Sequence, residues 1–363
     1  MDRKTDQSAL TRPESVQLQR EWLQFNGQAG EYFRIWIVNL LLTILTLGIY
    51  SAWAKVRKNC YIYGNLELAG SHFDYTARPL VILRGRLIAL ALLVIYLTAD
   101  YFVPLLSGAI ILLLSLVTPW VIVRSRMFNM RYTAYRNIKF SFNPVYGEAI
   151  KVILLYGLLS VMTLGLAIPF AHFQRNRMLV DNTNFGNLIF RLNLSSKKFY
   201  TGYALGALLG IFVLIPMGLF AYTSGMAAQG KLDMSFNLMV ALPFLIFGLF
   251  YYVVLQFIKA YILRATTNGT SIRAELSTGE VHKLGCDWSL TGMLGIYLSN
   301  IVVIVLSLGL LVPWAQMRIF RYQLNHTWVD VSGSLDDVVS GQLTEVSSLG
   351  EEIGDVFDVD IGL

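Results

Sequence analysis

Three apolar segments of this chain carry polar side chains at matching positions. When the segments are aligned on a repeated Thr/Ser-Leu-Gly motif, each has a polar residue nine positions before the motif glycine. Polar groups at one depth of related, broken helices are a common way to build a solute site inside a membrane. The alternative is that they join helices by hydrogen bonds, worth about 0.6 kcal/mol each. The candidate polar membrane site comprises Asn39, Thr43, Thr46, Gly48, Tyr156, Ser160, Thr163, Gly165, Asn300, Ser307 and Gly309.

The other residue types offer little catalytic chemistry. The four histidines are scattered, and no two have the helical spacing, with a carboxylate, that a zinc site on a helix requires. The two cysteines, Cys60 and Cys286, predict neither a disulfide framework nor a metal site. We therefore expect no enzyme activity, no metal and no cofactor. The alternative is a membrane enzyme whose site is assembled from His172, Arg175, Asp181 and strand residues.

The elements that position these residues are apolar segments of about the length that crosses a bilayer. Of the 363 residues 55% are hydrophobic and 14% are charged, whereas about 25% charged residues are usual in soluble domains. We predict an all-α polytopic membrane protein with internal repeats, and with short β-strands or hairpins in its cytoplasmic loops. The seven apolar segments are 32–54, 86–103, 105–123, 149–171, 201–222, 237–258 and 289–314.

Three of these segments contain the repeated motif, in TLGIYSAWAKVR (46–57), TLGLAIPFAHFQR (163–175) and SLGLLVPWAQMR (307–318). A basic cluster and then an alternating polar and apolar stretch follow each copy, and such alternation is typical of a strand. Two further apolar segments end in the same way. We predict a polar N-terminal segment at 1–24, membrane repeats at 25–142 and 143–277, a partial repeat at 278–333, and a flexible acidic tail at 334–363.

Aromatic and basic residues at the segment ends indicate anchoring at the membrane surface. Residues 1–329 carry a net charge of +15 and residues 330–363 a net charge of −9. The basic part predicts contact with anionic headgroups, and its position beside apolar helices argues against a nucleic-acid partner. The acidic tail is a candidate site for a protein partner, and the oligomeric state is not predicted. The interfacial anchors are Trp53, Arg57, Trp120, Arg124, Trp314 and Arg318.

The basic residues also distinguish two arrangements of the seven segments. If all seven cross the membrane, 14 of the 29 basic residues fall outside, contrary to the positive-inside rule. If the three segments with the motif bend there and return, the outer loops shrink to about 99–104 and 223–236, whose one basic residue is Lys231. We favour this second arrangement. It places every strand stretch and the C-terminus in the cytoplasm.

The strings TLGIYSAWAKVR, YGNLELAGSHFDY and FNGQAGEYF resemble the YjgN family of bacterial inner-membrane proteins, over about residues 21–333. The resemblance implies the bacterial inner membrane but no activity, substrate or catalytic residue. Leu66 departs from the repeat, because Thr183 and Thr327 occupy the matching positions. Our first hypothesis is a channel or transporter-like protein for a small solute or lipid. The alternatives are a membrane scaffold or regulator with a cytoplasmic strand layer, and the membrane enzyme above.

Overall fold

The computed structural model describes residues 18–227, 234–274 and 281–332. The predicted acidic tail and most of the predicted N-terminal segment lie outside these residues. The strands of the described part are β1 (Leu18–Phe25), β2 (Leu66–Leu68), β3 (Ser71–Tyr75), β4 (Thr133–Tyr135), β5 (Ile138–Phe142), β6 (Thr183–Phe185), β7 (Leu188–Leu192), β8 (Thr270–Ala274), β9 (Val281–Cys286) and β10 (Thr327–Ser332).

Helical hairpins are inserted between β1 and β2, β3 and β4, β5 and β6, β7 and β8, and β9 and β10. We number them 1 to 5 in chain order. Hairpin 1 contains α1 (Ala29–Leu45) and α2 (Ser51–Gly64), and hairpin 2 contains α3 (Pro79–Phe102) and α4 (Pro104–Tyr132). Hairpin 3 consists of α5 (Tyr146–Ile150), a π-helical turn (Lys151–Leu155), α6 (Tyr156–Met162) and α7 (Ile168–Asp181). Hairpin 4 contains α8 (Ser196–Ala227) and α9 (Met234–Gly269), and hairpin 5 contains α10 (Leu290–Leu306) and α11 (Val312–Leu324).

The strands of the described residues form one closed antiparallel barrel, in the order β1-β10-β9-β8-β7-β6-β5-β4-β3-β2. The first strand closes it by pairing with β10 through Leu18 and Ser332 and with β2 through Phe25 and Leu66. The prediction of an all-α protein with only short hairpins is therefore wrong. The physical reason is that isolated short hairpins are marginal in water and leave unpaired edges, both of which closure removes.

The interior of the barrel is filled with apolar side chains. One core cluster includes Leu68, Tyr135, Phe185, Ile272 and Val329. Because all ten strands contribute to it, directly or through half-buried neighbours, the cluster occupies the lumen. Small barrels are commonly filled in this way. The barrel of this protein is thus a packed core and not a pore.

Every hairpin begins and ends at the same rim of the barrel. The residue just after the incoming strand donates a backbone hydrogen bond to the end of the second helix of the same hairpin. This bond recurs in all five hairpins, as Asn26 to Asn65, Thr76 to Tyr132, Asn143 to Asn182, Asn193 to Gly269 and Asp287 to His326, at 2.7–3.1 Å.

The bend predicted at the Thr/Ser-Leu-Gly motif is confirmed. In hairpin 1 the helix stops at Leu45, and Leu47 and Gly48 have φ values of 49° and 93° before the next helix begins at Ser51. The motifs of hairpins 3 and 5 have the same backbone, with φ of 50–51° at the leucine and 87–91° at the glycine. An arrangement with seven crossings is excluded, because it places the paired strands β1 and β2 on opposite sides of the membrane.

Helices long enough to cross a membrane occur in hairpins 2 and 4. Within the described residues, three helices are sufficiently long and apolar: Pro79–Phe102, Leu106–Tyr132 and Pro243–Gly269. A fourth is obtained if the bent pair Ser196–Ile211 and Leu214–Tyr222 is counted as one span. Hairpins 1, 3 and 5 have shorter helices.

Candidate functional site

A cavity of about 590 Å³ lies where hairpins 1 and 2 meet the barrel rim. Its walls come from α1, α2 and α4, and Phe73 and Phe140 of the barrel strands line its base. From α1 it is lined by Tyr32, Trp36, Asn39 and Thr43, which share one helix face at spacings of four, three and four residues. The α1 face therefore extends the cavity for about 16 Å along the helix, at 1.5 Å per residue.

The structure places the three aligned polar residues in three different hairpins. Asn39 and Asn300 each donate from Nδ2 to the carbonyl of the residue fifteen positions later, to Ala54 at 3.5 Å and to Ala315 at 3.3 Å. Tyr156 instead packs its ring edge-on against Phe170, with centroids 5.1 Å apart. Each of them thus ties the two helices of its own hairpin together, and of the three Asn39 lines the cavity.

The hydroxyl groups of the predicted site satisfy backbone atoms. Thr46 donates to the carbonyl of Leu42 at 2.7 Å and accepts from the N–H of Tyr50 at 2.9 Å, so that it bridges the break between helices. Thr163 and Ser307 make the same two kinds of contact in hairpins 3 and 5. Thr43 and Ser160 donate to carbonyls four residues earlier. The glycines of the motif, Gly48, Gly165 and Gly309, supply its left-handed turn.

The predicted anchor pairs are formed in two hairpins. The guanidinium of Arg124 lies 5.7 Å from the ring centre of Trp120, and that of Arg318 lies 5.4 Å from Trp314. In hairpin 1 Trp53 stacks on Tyr50, and Arg57 is exposed. Whether these rings lie at a membrane surface stays a prediction.

Arg318 has partners within the protein as well. Its Nη1 atom donates to Ser299 Oγ at 2.6 Å and to Asn300 Oδ1 at 3.3 Å. The amide oxygen of Asn300 is thereby satisfied, whereas Oδ1 of Asn39 is buried and has no hydrogen-bond partner in the part of the chain that the structure describes. The side-chain amide at this repeat position therefore makes hydrogen bonds through its nitrogen and its oxygen in hairpin 5, but only through its nitrogen in hairpin 1.

Three basic residues that the sequence analysis did not assign to a site line the cavity: Lys55 and Lys58 from α2 and Arg126 from α4. Arg126 is only 7% exposed, and its Nε atom has no hydrogen-bond partner among the described residues. The sequence contained one signal for this. Residues two apart cannot share a helix face, so Arg124 and Arg126 cannot both point to headgroups.

Leu66, the departure from the repeat, also lines the cavity. The other four rim positions are occupied by threonines whose hydroxyls donate to carbonyls four residues earlier, at 2.7–2.9 Å: Thr133, Thr183, Thr270 and Thr327. Thr133 also lines the cavity, so that one apolar and one threonine rim position contribute to its wall.

The residues of the alternative enzyme site have separate partners. Nδ1 of His172 lies 3.0 Å from the hydroxyl of Tyr203, and burial, followed by the charge of Arg175, lowers the pKa of His172 to about 4. Asp181, at the end of α7, accepts from the N–H of Leu192 at 2.7 Å. Histidine and aspartate thus serve different packing contacts.

Comparisons with known proteins agree with this picture of a membrane protein. Residues 20–356 match a family described as "Bacterial protein of unknown function (DUF898)". The chain is 24% identical to "Inner membrane protein YjgN" of Salmonella typhimurium, with 87% of this chain and 89% of that protein covered. It is 22% identical to the protein of the same name from Escherichia coli O157:H7, with 86% and 89% covered. No solved structure matches the chain.

Proposed function

The chain belongs to the DUF898 family of bacterial proteins, and we propose that it is a transporter-like protein of the inner membrane. It binds a small polar solute or a lipid headgroup in the cavity between hairpins 1 and 2. The observation that carries this proposal is the cavity itself, which contains the buried amide of Asn39 and the hydroxyl of Thr43. We assign no catalytic step to the protein.

The filled barrel restricts the route of such a ligand. Since apolar side chains occupy the lumen, a solute cannot follow the barrel axis. The cavity is bounded by helices of hairpins 1 and 2, and a ligand therefore enters or leaves between these helices. This favours a transporter or a lipid-handling protein over an open channel.

We further propose that hairpins 2 and 4 cross the membrane, that hairpins 1, 3 and 5 dip into it and return, and that the barrel and the C-terminus are cytoplasmic. In a Cys60→Ser, Cys286→Ser background, single cysteines are introduced for Asn137, in the β4–β5 turn, and for Tyr101, at the far end of hairpin 2. An impermeant maleimide added to intact spheroplasts should label position 101 and should reach position 137 only after lysis. Labelling of position 137 from outside would show that the barrel lies on the outer side of the membrane and would contradict the proposed orientation.

Binding is tested by native mass spectrometry of the protein purified with its lipids. Asn39→Leu removes the buried amide from the cavity and should lose a bound molecule that the wild type retains. Asn300→Leu removes the equivalent amide outside the cavity and should retain it. Equal retention by both variants, or a wild-type protein with nothing bound, counts against the proposal.

The scaffold alternative is not favoured by a specific observation. A closed barrel has no free strand edge, so a partner cannot bind by adding a strand. The acidic tail, which was the other basis for that alternative, lies outside the described residues.

A further inference from the structure

We propose that the ligand of this cavity carries a phosphate group, either on a lipid or on a soluble organic phosphate. The inference rests on the proposed function and specifies the ligand class of the same site. It is carried by the cavity's charge, by two buried polar atoms without partners, and by the apolar surfaces beside them.

The charge of the cavity is one-sided. Lys55, Lys58 and Arg126 line it, and no aspartate or glutamate of the described residues does. A phosphate monoester carries a charge between −1.5 and −2 near neutral pH and presents three acceptor oxygens, and it fits arginine and lysine donors well.

Two polar atoms in the cavity wall lack the partners that buried polar groups normally have. Within the described part of the chain, Nε of Arg126 is a donor without an acceptor, and Oδ1 of Asn39 is an acceptor without a donor. The Asn39 amide is oriented by its bond from Nδ2 to the carbonyl of Ala54. A ligand that brings both phosphate oxygens and a hydroxyl group, such as a phosphate ester of a polyol, would supply both missing partners.

In a second basic groove the arginines make their hydrogen bonds within the protein and do not require a ligand. Arg318 and Arg321 line a groove beside α11, but both use their guanidinium groups within the protein. Arg318 donates to Ser299 and Asn300, and Arg321 donates to the carbonyl of Gly27 at 2.8 Å. Buried Nε atoms without a partner among the described residues also occur in Arg124 and Arg175, but of these three arginines only Arg126 lines the cavity.

Apolar surfaces lie next to the basic residues. Trp36 and Leu40 of α1 and the barrel rings of Phe73 and Phe140 line the same cavity. The site is therefore amphipathic, with cations from α2 and α4 and with apolar side chains from α1 and the barrel beside the polar groups of Asn39 and Thr43. A phospholipid headgroup and a soluble organic phosphate share the phosphate, and the experiment has to separate them.

The test measures binding to the purified full-length protein in neutral detergent. The two probes are inorganic phosphate and short-chain phosphatidylglycerol, measured by isothermal titration. We expect at least one to bind, and Lys58→Gln and Arg126→Gln each to weaken it tenfold or more. Lys139→Gln removes the same charge as Lys58→Gln, but at an exposed position on the barrel, and should leave the affinity unchanged.

Each outcome decides the proposal. Binding of inorganic phosphate with the expected variant pattern supports a soluble phosphate ligand, and binding of phosphatidylglycerol alone supports a lipid. Absence of binding by both probes, or equal weakening by Lys139→Gln and Lys58→Gln, overturns it. If Arg126→Gln does not fold, Lys58→Gln at its half-buried position decides. A neutral or cationic molecule that is bound in native mass spectrometry and lost in Asn39→Leu would refute this inference while leaving the proposed function intact.

Discussion

Replacing the leucine at the tip of hairpin 1 by asparagine tests whether the tip lies in hydrocarbon. The substitution should stabilise the protein if the tip lies in water and destabilise it if the tip lies in hydrocarbon. Leu47 has a φ of 49°, in the left-handed region, and its side chain is 94% exposed in the isolated protein. Leu164 and Leu308 have the same backbone and the same exposure at the tips of hairpins 3 and 5. The left-handed conformation is unfavourable for leucine, and burial of the side chain in hydrocarbon would offset this cost.

The expected change in stability can be worked out for a tip in water and for a tip in hydrocarbon. A left-handed backbone costs an ordinary L-residue about 1–2 kcal/mol, and asparagine adopts it more readily. If the tip lies in water, Leu47→Asn therefore stabilises the protein by up to about 1 kcal/mol. If it lies in hydrocarbon, the change forfeits about 1.5–3 kcal/mol of leucine burial and adds the cost of a buried amide, about 1–3 kcal/mol. After subtracting up to about 1 kcal/mol for the relieved backbone, we expect a net loss of about 1.5–5 kcal/mol.

The free energy of unfolding is measured by denaturant titration in lipid bicelles, for the wild type and for Leu47→Asn. Ala69→Gly serves as the control, because Ala69 also has a positive φ, 46°, but lies in the β2–β3 turn of the barrel. That change should be stabilising, since it relieves a left-handed backbone in water. A Leu47→Asn protein that is as stable as the wild type, or more stable, would refute membrane insertion of the tip.

Three further predictions concern stability. Gly48→Ala should cost about 1–2 kcal/mol in the same titration, because φ is 93° while the added Cβ would meet no atom within 4 Å; Gly157→Ala, also without close neighbours, should cost nothing. The hydrogen bond from Arg20 lowers the pKa of Asp330, so this pair should stabilise the β1–β10 closure above the ordinary pKa of aspartate and lose that effect as the pH falls through the lowered value. Unfolding curves between pH 7 and pH 2 should show this loss in the wild type and less of it in Arg20→Gln. Trp288→Ala should cost about 3–5 kcal/mol in denaturant titration, because the residue is 1% exposed in a cluster with α9, α10 and Cys286 of β9, and a cost below about 1 kcal/mol would contradict that packing.

Local alternation predicted where most strands lie but not how they pair. The stretches after the helix exits, such as GNLELAGSHFDY, contain β2 and β3 as expected. The first strand, LQREWLQF, was not recognised. It pairs with β10, about 310 residues later in the chain, and with β2, beyond hairpin 1. Such pairing depends on the three-dimensional course of the chain, which alternation within a short window does not encode.

The site was only partly predictable for a different reason. The repeat alignment identified Asn39 because three segments share its position, whereas the basic positions of the cavity recur in only part of the repeat: Lys58 matches Arg175, and Lys55 matches His172. Lys55 and Lys58 follow the first copy of the motif, whereas the matching positions of α11 are Gln316 and Ile319. Basic residues beside an apolar helix are usually anchors. Only the packing of α4 against hairpin 1 shows that Arg126 faces inward.

The closed barrel also constrains how the helices can meet a membrane. Because each hairpin leaves and rejoins the same rim, it must contribute an even number of crossings, either none or two. The 17 residues of α1 span about 25 Å, less than the roughly 30 Å of hydrocarbon in a bilayer. A helix that ends at such a depth must satisfy its last backbone groups without water. In the proposed arrangement Thr46 meets this requirement by donating to Leu42 and accepting from Tyr50, and this would explain a small hydroxyl residue at the break in hairpins 1, 3 and 5.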